Sequence, residues 1–168
     1  MPVRSRHEDG LHTTQLTAKE VLTLEHLAQG RTKKETARAL GLSESTIDSH
    51  LIRVGNKLLA SGTPGILHAA YRAGHLTPHE PTVRQEFTDA ERRVWHAALT
   101  TSNLAQLAGA LHLSRHGAQR QLACLMERVG ARNRGHLVAL GHAHEVLTKA
   151  TREPAPEATV GCRTEIAR

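Results

Sequence analysis

Residues 33–51 read KKETARALGLSESTIDSHL, and this stretch decides the fold. Just before it, Thr32 with Glu35 makes a capping box that opens a short helix to Leu40. Gly41 tolerates a positive φ, Leu42 turns inward, and Ser43 caps a longer helix over 44–58. On that helix Ile47, Leu51, Val54 and Leu58 fall on one face, while Ser45, Asp48, Ser49, Ile52 and Asn56 fall on the opposite one.

Working outward, Thr17 and Glu20 form a second capping box. The helix it opens, over 18–29, carries the stripe Val21, Leu24, Leu27 and Ala28 and is ended by Gly30. On the other side a helix starts near Pro64, a favoured first-turn residue, and runs to Ala73 before Gly74. Residues 16–76 thus read helix, helix, turn, helix, helix. Two helices joined by a short glycine turn, the second exposing small polar residues, match a helix-turn-helix pattern; a plain helical bundle is the alternative.

The same reading recurs downstream. A shift of 71 positions aligns 16–76 with 87–147 without a gap. Thr17, Glu20, Ala37, Leu40, Leu42, Ser43 and Leu51 return as Thr88, Glu91, Ala108, Leu111, Leu113, Ser114 and Leu122. Asn103 with Gln106 stands for the second capping box, and His112 replaces Gly41. The organisation expected is an N-terminal extension (1–15), a first repeat (16–76), a short stiff linker with two prolines (77–86), a divergent second repeat (87–147) and a disordered tail (148–168).

Composition narrows the class. The 168 residues hold only three aromatics, Phe87, Trp95 and Tyr71, so the core must be aliphatic, and the composition points toward helices; with the helical reading of both repeats, the fold class expected is all-α. Net charge is +6. Residues 16–76 carry eight Lys/Arg against five Asp/Glu, and 87–147 carry seven against four, so each repeat is +3. That balance favours an anionic partner. The scarcity of aromatics argues against stacking on single strands and leaves helix-in-groove reading of duplex DNA. No apolar run approaches a membrane span, MPVRSRHEDG lacks the apolar stretch of a leader, and two cysteines, Cys124 and Cys162, make no disulfide framework. The expectation is a cytoplasmic protein with no membrane partner.

The segment LTAKEVLTLEHLAQGRTKKETARALGLSESTIDSHLIRVGNKL resembles the LuxR-type (GerE) DNA-binding domain. Residues 87–147 resemble it through FTDAERRVW, LAGALHLS and RVGARNRGHLVALG. The resemblance implies tandem four-helix helix-turn-helix domains. It further implies a third helix that enters the major groove and a fourth that mediates dimerisation. Two such units in one chain suggest an intramolecular pseudo-dimer with the fourth helices, 64–73 and 134–146, packed together. Whether two chains then pair into a homodimer stays open.

With that placement, base reading falls to Ser45, Thr46, Asp48, Ser49 and Ile52 in the first repeat and to Arg115, His116, Gln119 and Arg120 in the second. Arg suits guanine and Gln suits adenine; Asp48 suits a cytosine amino group and Ile52 a thymine methyl. The family commonly places a basic residue where Asp48 sits. The first repeat therefore has either altered specificity or a scaffolding role. Lys33, Lys34, Arg53 and Lys57 are phosphate candidates in the first repeat, as are Arg128 and Arg132 in the second. Arg134 matches the family's Asn-Arg start of the fourth helix, with a structural reading beside the phosphate one.

Other chemistry is thin. His142 and His144 diverge on a helix, His75 and His79 straddle a helix end, and no Cys-x-x-Cys pair exists, so no metal and no cofactor are expected. Cys124 lacks a base and a glycine turn and reads as an inert thiol, and no enzyme is expected. The function expected is a DNA-binding transcriptional regulator of the LuxR type. The alternative is a protein-interaction module that uses the helix-turn-helix surface on RNA polymerase or another regulator.

Overall fold

A computed structural model describes residues 15–147 apart from 82, 84 and 102. The 1–14 part of the expected N-terminal extension and the expected disordered tail, 148–168, lie outside the described residues. The helices are α1 (Ala18–Ala28), α2 (Lys33–Leu40), α3 (Glu44–Leu58), α4 (Gly62–Arg72), α5 (Asp89–Thr100), α6 (Leu104–Ala110), α7 (Arg115–Val129) and α8 (Arg134–Ala143). No strand occurs among the described residues. α4 begins two residues ahead of Pro64, so the proline sits in its first turn. α8 ends at Ala143 rather than 146, because Glu145 takes a left-handed conformation (φ 58°) that stops it.

The caps explain the starts. The side chains of Thr17, Thr32 and Thr88 each accept the N–H of a glutamate three residues on, and each glutamate accepts the cap's own N–H. Ser43 and Ser114 accept the N–H groups of Thr46 and Gly117. Three left-handed positions in the first four helices, Gly41, Leu59 and Gly74, have counterparts 71 residues on at His112, Gly130 and Glu145. The turn between α2 and α3 is closed by Leu42 N–H to Ala37 C=O at 2.9 Å, and that between α6 and α7 by Leu113 N–H to Ala108 C=O at 2.9 Å. His112 thus adopts the geometry Gly41 adopts, at the cost of placing a Cβ where backbone strain is highest.

Packing joins the two sets of four helices. α4 lies against α8, α1 against α8, and α4 against α5. Each of these three contacts keeps a counterpart when α1–α4 are exchanged for α5–α8. One apolar cluster runs through both sets, from Leu24, Ile47 and Val54 through Leu67 and Ala70 to Trp95, Leu137 and Val138. A small second cluster, Ala97, Leu107, Ala108 and Ala118, sits under α5, α6 and α7. Asn133 Nδ2 donates to Gly30 C=O at 2.9 Å across the junction, and within the second set Trp95 Nε1 donates to Leu137 C=O at 2.7 Å, tying α5 to α8. Gly135 lets α8 approach α4, since a Cβ there would stand 3.1 Å from Leu67 Cδ1.

Candidate nucleic-acid interface

α3 buries the stripe its spacing demands. Ile47 and Val54 are fully buried and Leu51 nearly so. His50 is buried beside them, with Nδ1 2.9 Å from Thr23 Oγ1. The Thr23 hydroxyl donates to Lys19 C=O at 2.8 Å, so its oxygen is left to accept Nδ1–H of His50. Burial, with Arg53 nearby, holds the His50 pKa below its ordinary value. His50 is therefore a packed group rather than a ligand.

The opposite face of α3 looks outward. Ser45, Ser49 and Arg53 are exposed, Ile52 is 65% exposed, and Asn56 stands on the same stripe one turn further on. Asn56 belongs with the base-facing candidates by the same heptad spacing from Ser49. The hydroxyls are already engaged locally. Ser45 Oγ and Thr46 Oγ1 each lie 2.8 Å from Ser43 Oγ, and Ser49 Oγ donates to Ser45 C=O at 2.9 Å. Thr46 is half-buried and faces the turn more than the groove side. Asp48 is not a bare acid, because it forms an ion pair with Lys33 from the start of α2. Lys34, its neighbour, is exposed.

On α7 the residues Arg115, His116, Gln119 and Arg120 are all exposed. Ala118 is buried, so the face opposite these residues is the one that packs. Gly117 is not forced by space. A Cβ there would meet Ser114 Oγ at 3.3 Å, a contact a small shift relieves.

Two phosphate candidates prove to be struts. Lys57 Nζ bonds the buried carboxylate of Glu20 at 2.8 Å and Gln15 C=O at 3.3 Å. Arg128 pairs with Glu91, donates to Glu86 C=O at 2.8 Å and covers the Phe87 ring. Every partner in the second set stands 71 positions after its counterpart in the first. Burial pushes the Glu20 carboxyl up, but Lys57 and the Thr17 bonds outweigh it and hold the pKa below the usual carboxylate value. Glu91 is shifted the same way, with burial overridden by Thr88 and Arg128. Sequence reasoning took both cations as phosphate candidates; the joint recurrence of Glu20 with Lys57 and of Glu91 with Arg128 was the available signal for their structural pairing.

Arg134 donates to Thr101 C=O at 2.9 Å, a structural role. Arg132 is exposed, and its backbone N–H is bonded to His136 Nδ1 at 3.2 Å. Cys124, expected as an inert thiol, is disulfide-bonded. The chain's other cysteine, Cys162, lies outside the described residues. Among the described residues no group of three His, Cys, Asp or Glu side chains is placed to hold a metal ion. No helix among them is long and apolar enough to cross a membrane.

Residues 14–70 match the family described as bacterial regulatory proteins, luxR family. Over 64 residues, 38% of the chain, the sequence is 42% identical to the transcriptional regulatory protein YdfI of Bacillus subtilis (strain 168). That match spans 30% of the relative's length. No solved structure matches the chain. α1 to α3 and most of α4 fall within 14–70, so the capped turn between α2 and α3 and the outward face of α3 lie inside the stretch that matches this family.

Proposed function

We propose that the protein is a DNA-binding transcriptional regulator that reads duplex DNA in the major groove with α3 and α7. The carrying observation is that both helices bury one stripe and expose the other behind the same capped turn. In this reading 16–76 and 87–147 are tandem helix-turn-helix units, docked through α4 and α8 as a pseudo-dimer. Two half-sites would then lie about one helical turn of DNA apart. Ser45, Asp48, Ser49 and Ile52 read one half-site, and Arg115, His116, Gln119 and Arg120 read the other. Lys33, Lys34, Arg53 and Arg132 neutralise phosphates, while Lys57 and Arg128 hold their helices in place.

Titrating salt against binding to genomic fragments tests the proposal, because phosphate contacts make affinity fall steeply with salt. Arg120→Ala should cost about 1–3 kcal/mol at the selected site and little at random DNA. Lys34→Ala should weaken both alike and lower the salt slope by about one. Equal loss for Arg120→Ala at both kinds of site removes base reading from α7. No binding at about 50 mM salt replaces the proposal with the protein-interaction reading, which the Lys33–Asp48 pair and exposed Ile52 would then serve.

A further inference from the structure

We infer that the duplex taken by this chain is non-palindromic and has a direction. On the reading of α3 and α7 proposed above, on which this rests, α3 takes a half-site that offers a cytosine amino group. α7 takes one that offers guanine and adenine edges.

The outward face of α3 accepts hydrogen bonds where that of α7 donates them. Counting 71 positions on, Glu44 is replaced by Arg115, Asp48 by Gln119 and Ser49 by Arg120. The Ser49 hydroxyl directs its hydrogen to Ser45 C=O at 2.9 Å, so its oxygen is left to accept. Arg53 donates its Nε to Ser49 C=O at 3.3 Å and lies back along its own helix. On α7 the side chains of Arg115, Gln119 and Arg120 are exposed. A guanidinium only donates, which suits O6 and N7 of guanine, and an amide both donates and accepts, as adenine requires. An ionised carboxylate only accepts, and in the major groove the amino group of cytosine meets it.

The neighbours of the two faces differ in step with them. An acid that approaches phosphates is repelled unless a cation accompanies it. Lys33 Nζ stands 2.5 Å from Asp48 Oδ1, with the two side chains 47% and 50% exposed, so the acid is accompanied and still open to a partner. In the second set Leu104 stands where Lys33 does and Gln119 where Asp48 does, so the cation is missing where the acid is missing. Ile52, 65% exposed, offers a broad apolar surface to a thymine methyl, and its counterpart Ala123 offers one methyl group. A palindrome presents the same edges to both helices, so one of the two would always meet the wrong ones.

Selection of the full chain on a random duplex library gives its preferred site. Fluorescence anisotropy then compares that site with the two palindromes made by doubling its left or its right half. The selected duplex should bind at least about tenfold more tightly than either palindrome, because mismatched base pairs add their losses. A chain carrying Glu44→Arg, Ser45→His, Asp48→Gln, Ser49→Arg and Ile52→Ala has the α7 residues on both helices. It should prefer the palindrome of the α7 half-site over the wild-type site by at least about tenfold. If that chain does not fold, Asp48→Gln alone should narrow the wild-type preference over that palindrome about threefold; its ion pair is exposed enough to leave the melting temperature in place. A selected site that is palindromic or has a single half overturns the inference and leaves DNA reading standing. So does a palindrome bound within about twofold of the selected duplex, or a preference that neither the five substitutions nor Asp48→Gln moves. Absence of binding to every duplex at about 50 mM salt removes the reading of DNA by α3 and α7 itself, and the inference with it.

Discussion

The helices of 16–76 and of 87–147 share a frame and differ in where they put their charge. In the first set two lysines, Lys33 and Lys34, begin α2, and α3 carries the acid Asp48. In the second, Leu104 and Ala105 take the lysine positions, α6 has no charged residue, and α7 carries Arg115 and Arg120. The cations thus open α2 in the first set and lie at the start of α7 in the second. The same exchange appears in the turns. Gly41 faces His112, Gly130 faces Leu59, and Gly74 faces Glu145, so each left-handed position has glycine in one copy only. A shared backbone can therefore be held by different side chains, provided the caps, the turn closure and the cation strut are kept.

The strut offers the largest lever. Glu20 is 3% exposed, whereas Glu91 is 22% exposed, so removing each cation should not cost the same. Lys57→Met should destabilise by about 3 kcal/mol, because it strands a buried carboxylate. Arg128→Met should cost about 1 kcal/mol, since water reaches Glu91. Urea unfolding of both variants checks this, and equal losses would break the contrast.

A smaller effect follows from Tyr71 and His142, which are counterparts across the α4–α8 contact. Burial, with His68 and Arg72 beside it, lowers the His142 pKa from 6.5 to about 4. The unfolded chain then takes up the extra proton. Stability is full above about pH 6.5 and falls as pH drops toward 4, by about 2 kcal/mol between pH 7 and 5 from this group. His142→Leu should flatten that part of the stability profile; an unchanged slope assigns the acid sensitivity to other buried histidines such as His50.

The smallest effects sharpen the comparison of turns. A Cβ on Gly41 or Gly130 would meet nothing within 4 Å, so only backbone strain is in play there. Gly41→Ala and Gly130→Ala should each cost about 1 kcal/mol, and His112→Gly and Leu59→Gly should each gain about as much. Thermal melts of the four variants check the signs. A loss on His112→Gly would mean that its side chain contributes more than its backbone costs.

Much of the frame was legible in the sequence because it is written locally. Capping boxes, a glycine turn and a 3.6-residue stripe place α3 at 44–58, the bounds observed. Local signals failed where the end of an element depends on a distant partner. α8 stops early at a left-handed glutamate, which no propensity marks. Lys57 and Arg128 look like any solvated cation until folding brings carboxylates 37 residues away into reach. The outward faces of α3 and α7 were legible as faces. The pairing of Asp48 with Lys33 was not, because it joins two helices across a turn and is set by their crossing.

The apolar cluster that crosses the α4–α8 contact has a consequence for the segment between Leu76 and Phe87. Thr77, Pro78, His79 and Glu80 are exposed, while the buried Leu76 and Phe87 on either side belong to the common core. The halves are thus joined twice, once by covalent bonds and once by a core that neither half completes alone. Severing the peptide chain at 77–80 would leave two fragments that complement each other. The linker's contribution is to fix their ratio at one to one and to keep either half from trading places with that of another chain.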